Sequence, residues 1–213
     1  MLKINSSILT DDIIDKMKEQ LKRTKKDAIE RGFLLTRSNN FIETGKSFTG
    51  DRHEVVMLEQ AINIQKIAGI YHTHSTECAR MTATDLESSC LFDISCIGGV
   101  KDNKIKCFVR KKLESRDADW KKKFECNDKA KRLRKLREAQ LSKRGIDIDN
   151  EEKRLIILKE KFKFGKSKLT VSEISSHITS FNKKVLEYEK DREKFLKNVQ
   201  ELVNKYFNMK DIK

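Results

Sequence analysis

The residues able to do chemistry lie in one stretch, His72 to Asp85, which reads HTHSTECARMTATD. It holds two histidines separated by Thr73, a hydroxyl at Thr82 after seven intervening residues, and a carboxylate at Asp85 three positions further on. Residues i and i+2 of a strand share a face, so His72 and His74 can hold one ion while Asp85 supplies a carboxylate from the side. Two imidazoles and one carboxylate leave the fourth position of tetrahedral zinc open. That is the arrangement of a hydrolytic site, since a closed structural site would want more thiolates. The bland alternative is a chance pair of histidines at a strand end, with Asp85 as a helix cap. Histidine is scarce, four in the whole chain, and this weighs against a coincidence of two histidines, a hydroxyl and an aspartate at fixed offsets.

These residues need elements to position them. Ile67-Ala68-Gly69-Ile70-Tyr71 is short, apolar and β-prone, so it reads as a buried strand that delivers both histidines at its end. A helix from Thr82 or Thr84 to Leu91 would carry Asp85 in its first turn. Upstream, Thr10 followed by Asp11 and Asp12 marks a helix start, Ile13, Ile14, Met17 and Leu21 form its apolar stripe, and Lys22, Lys25 and Lys26 close it. Gly32 to Thr36 and Phe41 to Glu43 read as strands around the turn-type cluster Ser38-Asn39-Asn40. Further strands are expected at Glu54 to Leu58, Asp93 to Val100 and Lys104 to Val109. The sum is an α/β fold, a mixed β-sheet flanked by helices over residues 1–116.

From about Asp117 the character changes to long charged helices. Residues 116–213 carry 28 Lys or Arg against 17 Asp or Glu, so +11 of the formal +14 belongs to this part. One helix begins at Trp120 and Phe124 and is expected to end at Arg144-Gly145. Asp149 with Glu152 suggests a new start, running to a break near Gly165. Thr170 and Glu173 form a capping-box pattern ahead of a seam of Val171, Ile174, Ile178, Phe181, Val185 and Tyr188 that continues to Tyr206, with one polar exception at Arg192. So regular a spacing suits a coiled-coil contact. Its partner could be the 150–164 helix, the 118–144 helix, a second copy giving a homodimer, or a separate protein. Residues 117–213 thus read as a basic, mostly α-helical, coiled-coil-like extension.

The run from Lys129 to Arg137 is the densest positive stretch and could neutralise phosphates of a nucleic acid, lie as a solvated face, or meet an acidic protein. No aromatics are interleaved for base stacking. No apolar run approaches 18 residues and no charged-then-apolar leader is present, so no membrane span or secretory signal is expected and a cytoplasmic location is. Five cysteines, an odd number without paired spacing, favour free thiols in a reducing compartment. Cys90 and Cys96 sit in apolar surroundings as core residues, while Cys78 lies inside the metal motif.

The stretch from His72 to Asp85 resembles the signature of JAMM (MPN+ type) zinc metalloproteases: His-x-His, seven residues, Ser or Thr, two residues and Asp, preceded by a distant Glu. The resemblance covers roughly the first 110 to 120 residues. It implies a JAMM-type sheet and a general base. Glu30, followed by Gly32 and the apolar Phe33-Leu34-Leu35, matches the family's order best, and Glu43 is the competitor. It further implies zinc held by His72, His74 and Asp85, with Glu30 holding the water, taking its proton and returning it to the leaving amine. Thr82 would donate a hydrogen bond to the oxyanion. Ser75 stands where many members have proline, Thr82 replaces the commoner serine, and the segment after Asp85 is short.

By resemblance the activity is that of a zinc metallopeptidase or isopeptidase, a deubiquitinase-like hydrolase. It would act at the C-terminal tail of a ubiquitin-like modifier or carrier protein. A sulfur-carrier-processing hydrolase is an alternative. From a different class, so is a JAMM-fold scaffold whose basic helices bind nucleic acid or a protein assembly.

Overall fold

The computed structural model describes residues 9–38, 41–50, 67–111, 116–164 and 169–212. The strand expected at Glu54 to Leu58 and the break at Gly165 lie outside the described residues. The protein is mixed α/β and divides into two units. One is residues 1–130 with 200–213, the other residues 131–199. The expected boundary at 116/117 is therefore displaced, because the start of the helical extension and the chain's last residues both belong to the sheet unit.

In the sheet unit, α1 (Asp11–Asp27) leads through Ala28, in the left-handed conformation, into β1 (Arg31–Ser38) and β2 (Phe41–Thr49). Then follow β3 (Ile67–His74), α2 (Ala83–Ser89), β4 (Ile94–Gly99) and β5 (Lys104–Arg110). Helix α3 (Arg116–Leu136) starts in this unit, and the end of α5 (Val171–Tyr206) passes directly into β6 (Phe207–Ile212). The sheet order is β2-β1-β3-β4-β5-β6. Among the described strands, only β3 and β4 run parallel, as the intervening α2 crossover requires. β6 went unread in the sequence because Phe207 to Ile212 continues a helical pattern without punctuation. It is held by antiparallel pairing with β5 from Ile105↔Ile212 to Arg110↔Phe207.

The amphipathic stripe of α1 behaves as its spacing dictates. Ile13, Met17 and Leu21 are buried against one sheet face, with Phe33, Leu35, Tyr71 and Cys96. Leu34, Ile70 and Phe92 cluster separately. β3 is buried along its whole length, so its polar residues must all find partners within the protein.

Cys90 and Cys96 are buried as expected, but the expectation of free thiols is corrected at four of the five cysteines. Cys96 and Cys107 face each other in the β4–β5 register with Cα atoms 4.0 Å apart, and they form a disulfide. Cys90, the C-cap of α2, is joined to Cys126 on α3, leaving Cys78 as the free cysteine. Pairing set by strand register and helix docking leaves no trace in linear spacing. With it goes the ground on which a reducing compartment was expected.

In the 131–199 unit, α3 continues through a π-helical segment (Arg137–Ser142) into α4 (Lys143–Lys163). The expected helix stop at Gly145 and start at Asp149 are both corrected, since α4 runs through them. Gly145 instead faces α5, where a Cβ would lie 3.0 Å from the Tyr188 hydroxyl. Lys184 pairs with Glu151 at 2.8 Å, and Arg144 with Asp191, so α4 and α5 run antiparallel and the α5 seam has α4 as a partner. The capping box expected at Thr170 and Glu173 is present, at 3.3 Å from the Glu173 amide to the threonine hydroxyl. Among the described residues, no helix is long and apolar enough to cross a membrane.

Candidate metal centre

The alternation of β3 sorts its side chains by task. Tyr71 and Thr73 point to the α1 side, where the Tyr71 hydroxyl donates to the Met17 carbonyl at 2.7 Å. His72 and His74 share the other face. Thr73 is fully buried and ties three segments together. Its hydroxyl lies 2.8 Å from that of Thr24, accepts from the Arg31 amide at 2.8 Å, and sits 3.2 Å from the Arg31 carbonyl. Thr24 in turn donates to the Ile29 carbonyl at 2.9 Å, and the single Thr73 proton is shared between the Arg31 carbonyl and the Thr24 oxygen. The residue between the histidines thereby fixes the segment that carries Glu30.

Register completes that placement. Gly32 pairs with His72 in the antiparallel β1–β3 ladder, so the chain two residues earlier falls opposite His74. Glu30 is buried there, its Oε1 accepting from the Ser75 amide at 2.9 Å and from the Ser75 hydroxyl at 3.3 Å. Glu43 sits exposed on β2, paired with Thr36. Of the two candidate bases, only Glu30 comes to the histidines.

Asp85 arrives by a return loop. The Val100 amide donates to the His74 carbonyl at 3.1 Å, that of Lys101 to the Glu77 carbonyl at 3.2 Å, and that of Ala79 to Asp102 Oδ1 at 3.0 Å. The loop lies so close over the end of β4 that a Cβ on Gly99 would stand 2.0 Å from the Ala79 nitrogen. Thr82 then caps α2: its hydroxyl accepts from the Asp85 amide at 3.2 Å while its own amide donates to Asp85 Oδ2 at 2.8 Å. The same hydroxyl donates to Asp85 Oδ2 at 2.7 Å. Thr82 therefore holds the carboxylate in place, a role its reading as an oxyanion donor did not include.

The three ligand-type residues converge. His72 Nε2 and His74 Nε2 are 3.1 Å apart, His72 Nε2 lies 3.0 Å from Asp85 Oδ1, and His74 Nε2 lies 3.2 Å from Asp85 Oδ2. Tetrahedral zinc with bonds of about 2.0–2.1 Å wants ligand atoms about 3.3 Å apart, which is the scale of these distances, with each imidazole facing a different oxygen of Asp85. The Nδ1 atoms of both histidines are buried without a hydrogen-bond partner, whereas a finished zinc site commonly gives each one an acceptor. Burial resists a charge on His74, but the Asp85 carboxylate outweighs it and lifts the imidazole to about 9. Burial also resists charge on Asp85, and the two imidazoles hold its carboxyl well below the usual range. The cluster thus has the charge complementarity of a cation site, with a proton able to stand in for the ion.

No protein-family model matches the chain, and none of the curated proteins matches it. Among solved structures, a solution structure of a protein from Salinibacter ruber (strain DSM 13855) is similar at 19% identity. The likeness covers 48% of this chain and 80% of that one, with a TM-score of 0.30. A likeness at that level carries neither fold nor chemistry to this chain.

Proposed function

We propose that this chain is a zinc metallopeptidase or isopeptidase of the JAMM kind, cutting an amide or isopeptide bond at the C-terminal tail of a ubiquitin-like modifier or carrier protein. The observation that carries the reading is the meeting of His72, His74 and Asp85 within 4.8 Å, with buried Glu30 hydrogen-bonded to the residue next to His74. Zinc bound there would lower the pKa of water toward about 7 and polarise a carbonyl.

The chain's own residues supply the rest. His72, His74 and Asp85 would hold the ion, and Thr82 orients Asp85. Glu30 takes a proton from the attacking water at its carboxylate and returns it to the leaving nitrogen. For Thr82 to serve an oxyanion as well, its hydroxyl exchanges Asp85 for the substrate oxygen. The modifier as substrate rests on the resemblance of the motif alone.

Metal analysis of the purified protein, joined to cleavage of a panel of modifier fusions, tests the reading. Wild type is expected to hold about one equivalent of zinc and to cleave at least one fusion. Glu30→Gln keeps the metal and loses activity by about 10²–10⁴-fold. His72→Ala and His74→Ala lose both. Full activity in Glu30→Gln rejects the base. Metal without cleavage of any fusion favours a scaffold whose basic helices hold an assembly or nucleic acid.

A further inference from the structure

Glu30 lies between α1 and β1, outside any helix or strand, so the regular backbone does not fix its side chain. Among the described residues, the hydrogen bonds to its carboxylate come from one residue. The amide and the hydroxyl of Ser75 both donate to Oε1, at 2.9 Å and 3.3 Å, and Oε2 receives neither. Ser75 is itself buried and is bonded directly to His74. One carboxylate oxygen is thereby registered against the backbone of a ligand residue. A proline at this position would offer neither donor.

We propose that Ser75 is the positioning residue for Glu30, pinning Oε1 so that Oε2 is the oxygen that exchanges protons. The inference rests on the hydrolase reading of this same site. In that reaction the water O–H bond breaks, its proton passes to Oε2, and the same proton is later given to the leaving nitrogen. Glu30 ends as it began, and no further reactant is needed. Ser75 is not one of the three ligand-type residues and reaches Glu30 through Oε1, so its effect is expected on the chemical step and not on binding.

Three variants and one spectroscopic readout test this. Ser75→Ala keeps the amide and removes the hydroxyl. It is expected to lower kcat about tenfold, the scale of one hydrogen bond to a charged group, with KM and bound zinc unchanged. Ser75→Thr keeps both donors and restores kcat. In the metal-free protein, Glu30→Ala removes the acceptor, and the Ser75 amide proton is expected to shift upfield and lose protection from exchange in ¹⁵N NMR spectra.

Wild-type kcat in Ser75→Ala, a change in KM alone, or a Ser75 amide indifferent to Glu30→Ala would each overturn the assignment. A wild-type protein that binds zinc and cleaves no fusion overturns the hydrolase reading instead. A responding amide would then mark a structural bond only, and the positioning role falls for that separate reason.

Discussion

The two units use polar side chains in opposite ways. In the sheet unit several polar groups are buried in fixed places beside the exposed ion pairs: Thr73 links three segments, Thr82 holds Asp85, and Arg110, 4% exposed, meets Asp93 at 3.0 Å and Asp119 at 2.7 Å. In the 131–199 unit the ion pairs lie in water, as with Lys184 and Glu151, and apolar Ile156, Ile157 and Leu186 stay exposed. A buried charge is costly unless every partner is present, so its arrangement is specific. A solvated pair costs little and specifies little. Placement of a reacting group to a fraction of an ångström demands the first kind of construction. A helical hairpin that presents a long surface can be built from the second.

Substitutions can break this contrast. The largest expected effect is Arg110→Ala, which takes their shared buried guanidinium from Asp93 and Asp119 while Asp93 keeps Arg37 and Lys123, and it should cost about 3 kcal/mol in a denaturant titration. A loss below 1 kcal/mol would mean that the sheet unit is no more dependent on its ionic partners than the hairpin is. Next is Gly99→Ala, whose methyl group would press on the Ala79 backbone. The expected cost is about 1–3 kcal/mol, with weaker zinc binding because the return loop carries Asp85. Undiminished zinc affinity in that variant would show that the loop does not position the ligand.

The site's charge state gives a third test. The folded-state pKa of His74, about 9, stands above its ordinary 6.5. The stabilisation from its pairing with Asp85 is therefore complete below 6.5 and is lost as pH rises through about 9. Zinc needs the unprotonated nitrogen, so its affinity runs the other way, strengthening by about tenfold per pH unit up to about 9. Equilibrium zinc titrations across that range read it directly, and a flat profile would remove His74 from the ligand set. The smallest effect is expected in the hairpin, where Lys184→Ala should change stability by about 0.2–1 kcal/mol. A loss several times larger, by the same titration, would erase the contrast between the units.

The candidate site was more legible in the sequence than the fold around it, for physical reasons. His72 and His74 could be placed together because a strand has a period of two. Asp85 could be placed because a helix starting at Thr82 or Thr84 carries it in the first turn. Choosing Glu30 over Glu43 needed the resemblance, and the pairing of Gly32 with His72 supplies its structural cause. What stayed hidden depends on partners distant in the chain. Gly145 looked like a helix stop, and its close approach to Tyr188 across the hairpin could not be seen. The Cys96–Cys107 pair follows from register, the Cys90–Cys126 pair from the docking of α3 on α2, and β6 from an open edge of β5. Ser75 could be seen to depart from the usual proline, but its bond to Glu30 could not.

The return of the chain at β6 bears on how the molecule could be shortened. Cutting after Ala130 would discard β6 along with the helices and leave the amides and carbonyls of β5 open to pairing with another chain, a route to aggregation. Glu125 and Lys205, near the two points where the helices leave and re-enter this unit, are paired at 3.1 Å. A short linker from Ala130 to Gln200 would remove the excursion and keep the edge closed. A plain C-terminal deletion would confuse loss of the helices with loss of a strand.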